Sequence, residues 1–220
     1  MNIAIVQVYD EAIRNYAEYS RMINSIYCAK QGYKYICWNY DLVPTEISVY
    51  YNKIQAIFNV MQSNKDIDYI LYLDSDACIA NHDIRIEEII ERQKGKEIVF
   101  ARDINGSNNG VFLIKNTEKM KEYLQKCFSD RRFYHTKFPE QSAMFNIIMS
   151  DDYKDLVGWE EAMFFNAYYP VYKDYKSVER YFDKDSFILH MPRLPEKFRI
   201  EKFLLVLQKL GIFCFVKGDK

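Results

Sequence analysis

Residues 69–76 read Tyr-Ile-Leu-Tyr-Leu-Asp-Ser-Asp, an apolar run that ends abruptly in two carboxylates. A run of this kind is typical of a strand covered on both faces, as in parallel sheets. Ligands of open α/β sheets bind beyond the carboxyl ends of the strands. Asp74 and Asp76 therefore stand where a binding site is expected. Two oxygen donors at this spacing can chelate Mg²⁺ or Mn²⁺ that also holds substrate phosphates, which favours a reaction with a diphosphate leaving group.

Strand and helix patterns alternate on both sides of this stretch. Apolar runs predict the strands 3–8, 35–38, 98–100 and 111–114. Apolar spacing of three and four residues predicts helices over 13–27, 54–61 and 86–90, the first closed by Gly32, and a further helix with Asn116 as its N-cap. The alternation predicts an α/β fold.

Two segments are less regular. The polar stretch Asp103 to Asn109 is predicted to be a loop over the sheet edge, and Phe203 to Val216 a terminal helix followed by a strand or docking segment. An interfacial role for this last stretch is an open alternative.

The composition indicates one globular domain. The chain has 220 residues, of which 49% are hydrophobic, enough for a sizeable core. The net charge of -1 gives no overall field that would attract nucleic acid or an anionic membrane. No G-x-G-x-x-G or G-x-x-x-x-G-K-[ST] motif is present in the sequence, which argues against the usual dinucleotide oxidoreductases and P-loop NTPases.

Cysteine usage predicts a reducing compartment. The five cysteines are scattered and form no C-x-x-C pair, which argues against a zinc site and a disulfide framework. The N-terminus lacks a basic region, and its apolar run is too short for a signal peptide or a transmembrane anchor. We therefore expect a cytoplasmic protein.

His190 follows the apolar run 187–189 and is the best candidate for a third metal ligand, since imidazole favours Mn²⁺ over Mg²⁺. Arg193, Lys197 and Arg199 follow closely and could clamp a diphosphate. The alternatives are a hydrogen-bonded structural histidine, a solvated basic start of the last helix, and an Asx-turn at Asp-Ser-Asp that only caps the next helix. His82 and His135 are predicted to be surface residues.

The pattern around residues 68–77 resembles the D-x-D segment of glycosyltransferases with the GT-A fold. The nearest match is the galactosyl, mannosyl and xylosyl transferase group, family 34, with family 8 as a cousin. Further motifs match this group in order: Tyr27-Cys28-Ala29 with Gly32-Tyr33, Tyr51-Asn52-Lys53-Ile54, Asn108-Asn109-Gly110-Val111-Phe112, Glu140-Gln141-Ser142-Ala143 and Phe187-Ile188-Leu189-His190. Two positions depart from the family pattern, Arg193 where glycine is usual and Glu140 where aspartate is usual.

The resemblance implies a single GT-A domain over residues 1–220, with a central, mostly parallel mixed sheet flanked by helices. It implies a nucleotide-binding half at about 1–105 and an acceptor and metal-closing half at about 106–200. A C-terminal helix and tail would cover about 196–220.

The resemblance also implies roles for particular residues. The metal ligands would be Asp74, Asp76 and His190, holding Mn²⁺, with Mg²⁺ as the alternative. The nucleotide would contact Gln7, Val8, Tyr9, Asp10, Asp74 and Ser75, with Tyr9 stacked on uracil. The donor sugar would lie by Lys53, Asp103, Asn108 and Gln141, with Gln141 beside the anomeric carbon. The diphosphate would meet Arg193 and Lys197, and Asp76, Gln141 and Lys53 would be catalytic.

The implied activity is transfer of a hexose or related sugar from a UDP-sugar to a glycan or glycoprotein acceptor, with retention of configuration. Glutamine is a poor nucleophile, so the expected route is same-face attack with a UDP oxygen taking the acceptor proton. The compact chain looks like a microbial or viral version, similar to the capsid-glycan transferases of large algal viruses, which would act in the host cytoplasm, or one domain of a longer polypeptide.

Two other functions are compatible with the residues. A haloacid-dehalogenase-type phosphatase also places D-x-D after an apolar strand, and Asp74 would then be the nucleophile. A sugar-nucleotide-binding domain without turnover is the second alternative.

Overall fold

A computed structural model describes residues 1–103, 106–169 and 182–212 of the chain. Its strands are β1 Ile3–Val8, β2 Lys34–Trp38, β3 Tyr69–Leu73, β4 Ala77–Ile79, β5 Ile98–Asp103, β6 Gly106–Lys115, β7 Val157–Glu160, β8 Ala167–Tyr168 and β9 Ile188–His190. Its α-helices are α1 Arg14–Gln31, α2 Asn52–Ser63, α3 Ile86–Arg92, α4 Glu118–Ser129, α5 Pro139–Ile148, α6 Ala162–Phe165 and α7 Glu196–Lys209. Strands and helices alternate from β1 to β3, as the sequence predicts, whereas β4 follows β3 directly and β6 follows β5.

The main sheet has six strands in the order β2-β1-β3-β6-β5-β7. β1 pairs in parallel with β2 and β3, and β5 pairs in parallel with β7. β6 runs antiparallel to both β3 and β5. The predicted α/β fold with a mostly parallel mixed sheet is confirmed.

Both faces of this sheet are covered, which explains the continuous apolar runs of β1 and β3. On one face Val6 and Tyr72 pack in a cluster with Ile57 of α2 and Tyr123 of α4. On the other face, the neighbouring strand residues pack against α1 and α3. The carboxyl ends of β1 and β3 therefore meet at one edge of a well-filled core.

A second, three-stranded sheet has the order β4-β9-β8. β4 follows the Asp-Ser-Asp turn directly and pairs antiparallel with β9, with Ala77 opposite His190. This pairing brings the far end of the chain to the D-x-D turn. The strands β4 and β8 are two or three residues long, too short to show a hydrophobic period in the sequence.

The predicted C-cap of α1 is confirmed. Gly32 has φ 76°, the left-handed conformation, and its amide donates to the carbonyl of Cys28. Glycine adopts this conformation without a steric penalty, so the helix ends there and β2 begins two residues later.

Three local predictions are wrong. The N-cap of α4 is Thr117, whose hydroxyl accepts from the backbone amide of Met120 at 3.2 Å, whereas the side-chain Nδ2 of Asn116 donates to the Ile67 carbonyl at 2.8 Å. The predicted loop at 103–109 mostly forms the start of β6, paired with β5. His82, predicted to be a surface residue, is buried. Its Nε2 lies 3.1 Å from the Ile79 carbonyl oxygen, and its ring packs edge-on to Tyr27.

The C-terminal prediction is confirmed as far as the helix α7, and residues 213–220 lie outside the described residues. His135 is exposed, as expected. In the described part of the chain, every helix is too short or too polar to cross a bilayer.

Candidate functional site

A cleft of about 690 Å³ opens beyond the carboxyl ends of β1 and β3. Its walls come from the turn after β1, the start of α2, the D-x-D turn, the start of α5 and the turn between β9 and α7. This is the edge of the sheet at which the sequence places a ligand site.

Asp74, Asp76 and His190 lie together at this cleft. One ligand atom from each lies within 4.8 Å of the others. The amide of Asp74 donates to the carbonyl of Gly110 at 2.7 Å, which ties the D-x-D turn to β6. The amide of Met191 donates to the carbonyl of Asp76 at 2.9 Å, so the end of β9 is held against the same turn.

The hydrogen bonds of His190 leave one ring nitrogen for a cation. Its Nδ1 lies 2.7 Å from Oδ1 of buried Asn166, an oxygen that can only accept, so Nδ1 carries the hydrogen. Nε2 then presents a lone pair 3.2 Å from Oδ1 of Asp76. A shared cation stabilises such a facing pair of acceptors, and an outer hydrogen bond of this kind is typical of metal-ligating histidines. The two carboxylates and the imidazole are thus a donor set that fits a divalent metal such as Mn²⁺.

Gly110 gives this cluster its space. A Cβ built on Gly110 would lie 2.8 Å from both Asp74 Oδ2 and His190 Nε2, and closer still to the imidazole Cε1. No side chain fits there unless the ligands move. The glycine of the Asn-x-Gly-Val segment therefore permits the close approach of β6 to the ligands.

Lys53 lies beneath the cluster with its side chain 5% exposed. Its Nζ lies 3.0 Å from Asp74 Oδ1, 3.1 Å from Glu140 Oε1 and 3.1 Å from the Asn109 carbonyl oxygen. Burial by itself lowers the pKa of Lys53, but the two carboxylates more than offset this, and the pKa lies above its usual range. The ammonium stays charged, and its three N–H donors match the three protein acceptors.

The oxygens of each aspartate are divided between partners. Oδ1 of Asp74 accepts from Lys53 and, at 3.1 Å, from the Tyr72 hydroxyl, while Oδ2 lies on the side of Gly110 and His190. Oδ2 of Asp76 lies 3.0 Å from Nη2 of Arg199, and Oδ1 lies beside His190. Each carboxylate therefore has one oxygen paired with a protein cation and one oxygen at the cluster of Asp74, Asp76 and His190.

The residues predicted to contact the nucleotide are brought together, with one exception. Val8, Tyr9, Asp10 and Ser75 line the cleft along with Asp74. Gln7 does not line it, because its amide is buried beneath the D-x-D turn, where Nε2 donates to Ser20 Oγ and to the Asp74 carbonyl. Gln7 thus supports the turn from below, and its predicted contact with the nucleotide does not fit this position.

The residues predicted to contact the donor sugar lie across the cleft. Asn108 and Gln141 line it, as does Lys53 from below. The side chain of Asp103 lies outside the described residues. Asn108 is fixed at both ends of its amide, since Oδ1 accepts from the Gly110 amide and Nδ2 donates to the Tyr168 hydroxyl at 2.6 Å.

The predicted diphosphate clamp is only partly assembled. Arg193 lines the cleft and has φ 61° in the turn that leads into α7. Lys197 is exposed and does not line the cleft, because it lies on another face of α7. Arg199 does line the cleft.

Several residues of the site have no counterpart in the sequence-based assignment of roles. They are Tyr16, Tyr72, Glu140, Asn166 and Tyr168. Among the aromatic residues of the second half, Phe165 is buried and Trp159 and Phe164 pack against the core, whereas Tyr168 lines the cleft with its ring edge-on to His190. Glu140 could have been found from its place in the Glu140-Gln141 motif and Tyr72 from its place in the apolar run before Asp74, whereas no sequence motif marks Tyr16, Asn166 or Tyr168.

The fold is similar to that of several solved glycosyltransferases. The family model of the galactosyl transferase GMA12/MNN10 family matches residues 8–94, which begin at the last residue of β1 and include Lys53 and the D-x-D turn. A glycosyltransferase involved in the glycosylation of the major capsid of PBCV-1 superposes with a TM-score of 0.75, at 16% identity, over 93% of this chain and 100% of that one. The chain has the GT-A fold.

Two further GT-A structures are similar over nearly their whole length. The galactosyltransferase LgtC, solved with donor and acceptor sugar analogs, has a TM-score of 0.62 at 13% identity, over 96% of this chain and 98% of that one. Mouse xyloside xylosyltransferase 1 has a TM-score of 0.52 at 13% identity, over 88% of this chain and 98% of that one. No curated protein sequence matches significantly. The resemblance seen in the motifs is therefore confirmed at the level of the GT-A fold and the family-34 segment.

Proposed function

We propose that this protein is a metal-dependent glycosyltransferase that moves a hexose or related sugar from a UDP-sugar to a glycan acceptor, with retention. The observation that carries the proposal is the cluster of Asp74, Asp76 and His190 at the cleft of a GT-A fold. Two carboxylates with free oxygens and an imidazole with a free lone pair form a site for a cation shared with a diphosphate.

The two aspartates and His190 would hold Mn²⁺, or alternatively Mg²⁺. A divalent cation in this site supplies charge that neutralises the diphosphate and stabilises the departing nucleoside diphosphate. The chain's contribution is preorganisation, because Lys53, Tyr72, Arg199 and Asn166 fix the ligands before any substrate enters.

The nucleotide would lie along the wall formed by Val8, Tyr9, Asp10 and Ser75. The Tyr9 hydroxyl donates to Glu18 at 2.6 Å, which holds its ring at the cleft as a surface for the base. Ser75 Oγ donates to the Val8 carbonyl, so the two strand ends that form this wall are linked.

Retention by same-face attack is supported by the carboxylates of the cleft. Among the described lining residues these are Asp10, Asp74, Asp76 and Glu140. Asp10 accepts from the Ile13 amide, Asp74 and Asp76 belong to the metal cluster, and Glu140 is paired with Lys53. Asp74, Asp76 and Glu140 are thus engaged within the site, and Asp10 lies in the wall proposed for the nucleotide. In the proposed step the acceptor oxygen bonds to the anomeric carbon as the bond to the diphosphate oxygen breaks, and that oxygen takes the acceptor proton.

In this proposal Gln141 and Asn108 position the donor sugar, and Arg193 meets the diphosphate. Residues at about 1–105 bind the nucleotide. Residues at about 106–200 bind the acceptor and supply the third metal ligand, His190. The likeness to a capsid glycosyltransferase supports a glycan or glycoprotein acceptor. The four described cysteines are free thiols, which supports a cytoplasmic location.

Titration calorimetry of UDP, GDP and CMP, each with and without Mn²⁺, tests the proposal. We expect UDP to bind and its affinity to rise with Mn²⁺. Equal binding of all three nucleotides would contradict the choice of UDP, and nucleotide binding unaffected by metal would contradict the role of the cluster. Release of UDP from a panel of UDP-sugars then separates an enzyme from an inert binding domain. The GT-A fold removes the basis for the phosphatase alternative, which depended on the D-x-D strand alone.

A further inference from the structure

Each aspartate of the D-x-D turn has one oxygen held by a cation from a distant part of the chain. Asp74 Oδ1 lies 3.0 Å from Lys53 Nζ of α2. Asp76 Oδ2 lies 3.0 Å from Arg199 Nη2 of α7. The remaining oxygen of Asp76 lies beside His190, and that of Asp74 lies beside Gly110 and His190. The two cations therefore decide which oxygen of each carboxylate faces the metal cluster.

Arg199 is itself held from three directions. Its Nε donates to the Met191 carbonyl at 3.0 Å while Nη2 donates to Asp76. Its guanidinium carbon lies 4.5 Å from the centre of the Tyr16 ring on α1. The side chains of Arg199 and Asp76 are each only 14% exposed. A planar guanidinium can reach the carbonyl and the carboxylate together, whereas a single ammonium cannot reproduce this fork.

We propose that Arg199 is a positioning residue of the metal site, through which the last helix fixes the orientation of Asp76. The inference rests on the proposed function, since it assigns Arg199 a role toward the cation site of that function. Among the basic residues after His190, Lys197 lies outside the cleft and Arg199 contacts a metal-site carboxylate directly. The helix α7 is thereby a component of the active site.

Two effects of removing Arg199 oppose each other, and this makes the test informative. Loss of a nearby positive charge would by itself strengthen the binding of a divalent cation. Loss of the hydrogen bond frees Asp76 to rotate, and removal of such outer contacts typically weakens metal binding by about 10- to 100-fold. A positioning role predicts that the second effect wins.

The test measures binding of Mn²⁺ alone to the full chain, from the electron paramagnetic resonance signal of free Mn²⁺. Arg199→Gln is compared with Lys197→Gln, which removes the same charge from the same helix at an exposed position outside the cleft. We expect Arg199→Gln to weaken Mn²⁺ binding about 10-fold or more. We expect Lys197→Gln to stay within about twofold of wild type, since exposed charges are screened.

A second variant separates charge from geometry. Arg199→Lys keeps the positive charge but loses the fork, so we expect Mn²⁺ binding clearly weaker than in wild type. Wild-type affinity in Arg199→Lys would overturn the proposal, as would unchanged or tighter binding in Arg199→Gln. Thermal unfolding checks that both variants fold, and if Arg199→Gln does not, Arg199→Lys carries the test.

The same data distinguish this inference from the proposed function. A wild-type chain that binds neither Mn²⁺ nor UDP would refute both. A wild-type chain that binds both, together with an Arg199→Gln variant that matches Lys197→Gln, would refute only the role of Arg199.

Discussion

Gly110 lies against His190 so closely that a Cβ on residue 110 would overlap the imidazole. Gly110→Ala should therefore displace His190 or Asp74, since the added Cβ would meet Nε2 and Oδ2 at 2.8 Å. We expect about a 10-fold or greater loss of Mn²⁺ affinity, because a metal site tolerates little displacement of its ligands. Calorimetry with Mn²⁺ in the presence of UDP measures it.

Gly158→Ala is the matched control for this substitution. A Cβ on Gly158 of β7 would also be crowded, but by the flexible side chains of Gln93 and Lys96, away from the cleft. It should lower stability modestly and leave Mn²⁺ binding unchanged. An equal loss of metal affinity in both alanine variants would mean that general destabilisation, and not contact with the ligands, explains the effect.

The stretches that could be predicted from sequence are those whose burial produces a hydrophobic periodicity or a continuous run of apolar residues. β3 and the Asp74–Asp76 turn were predictable because a strand buried on both faces is apolar throughout, and His190 because it ends another such run. The residues that hold these ligands in place could not be predicted from sequence. Arg199 lies 123 residues from Asp76 in the chain, and Asn166 lies 24 residues from His190. Such pairings arise from the way α7 and β8 pack, and no local pattern encodes them.

Lys53→Met tests the buried ion cluster. The substitution removes the ammonium that pairs with Asp74 and Glu140, and Glu140 is buried. Breaking a buried pair by removal of one partner costs about 3–5 kcal/mol, because the other charge stays desolvated. We expect a loss of that order in the free energy of unfolding, measured with urea.

The double variant Lys53→Met/Glu140→Gln should recover part of this stability, since it also removes the stranded carboxylate charge. A single Lys53→Met variant that loses less than about 1 kcal/mol would show that the cluster is not held by charge. Equal stability of the single and double variants would show that Glu140 is not a partner of Lys53.

His82 should make stability depend on pH below neutrality. Burial lowers the pKa of its imidazole to about 4 in the folded chain, against about 6.5 when unfolded. Between these values the unfolded state binds more protons, so stability falls as the pH falls from 6.5 towards 4. The shift corresponds to at most about 3 kcal/mol. Urea unfolding across this pH range measures the loss.

Two glutamine variants isolate this contribution. His82→Gln retains a donor for the Ile79 carbonyl but cannot take up a proton, so its stability should fall less between pH 6.5 and 4. His135→Gln, at an exposed position, should follow the wild-type curve. If His82→Gln also follows the wild-type curve, the pH dependence comes from other groups.

Asp76→Asn should separate metal binding from folding. The amide keeps the size of the side chain, and its oxygen can still accept from Arg199 or face the cluster, but not with the charge that a divalent cation requires. We expect Mn²⁺-dependent release of UDP from UDP-sugars to be abolished, while thermal unfolding stays within a few degrees of wild type. Asp10→Asn, at a cleft carboxylate outside the cluster, is the comparison, and it should retain metal dependence. Full Mn²⁺-dependent turnover by Asp76→Asn would remove Asp76 from the metal site, and with it the reason for assigning that site to the D-x-D turn.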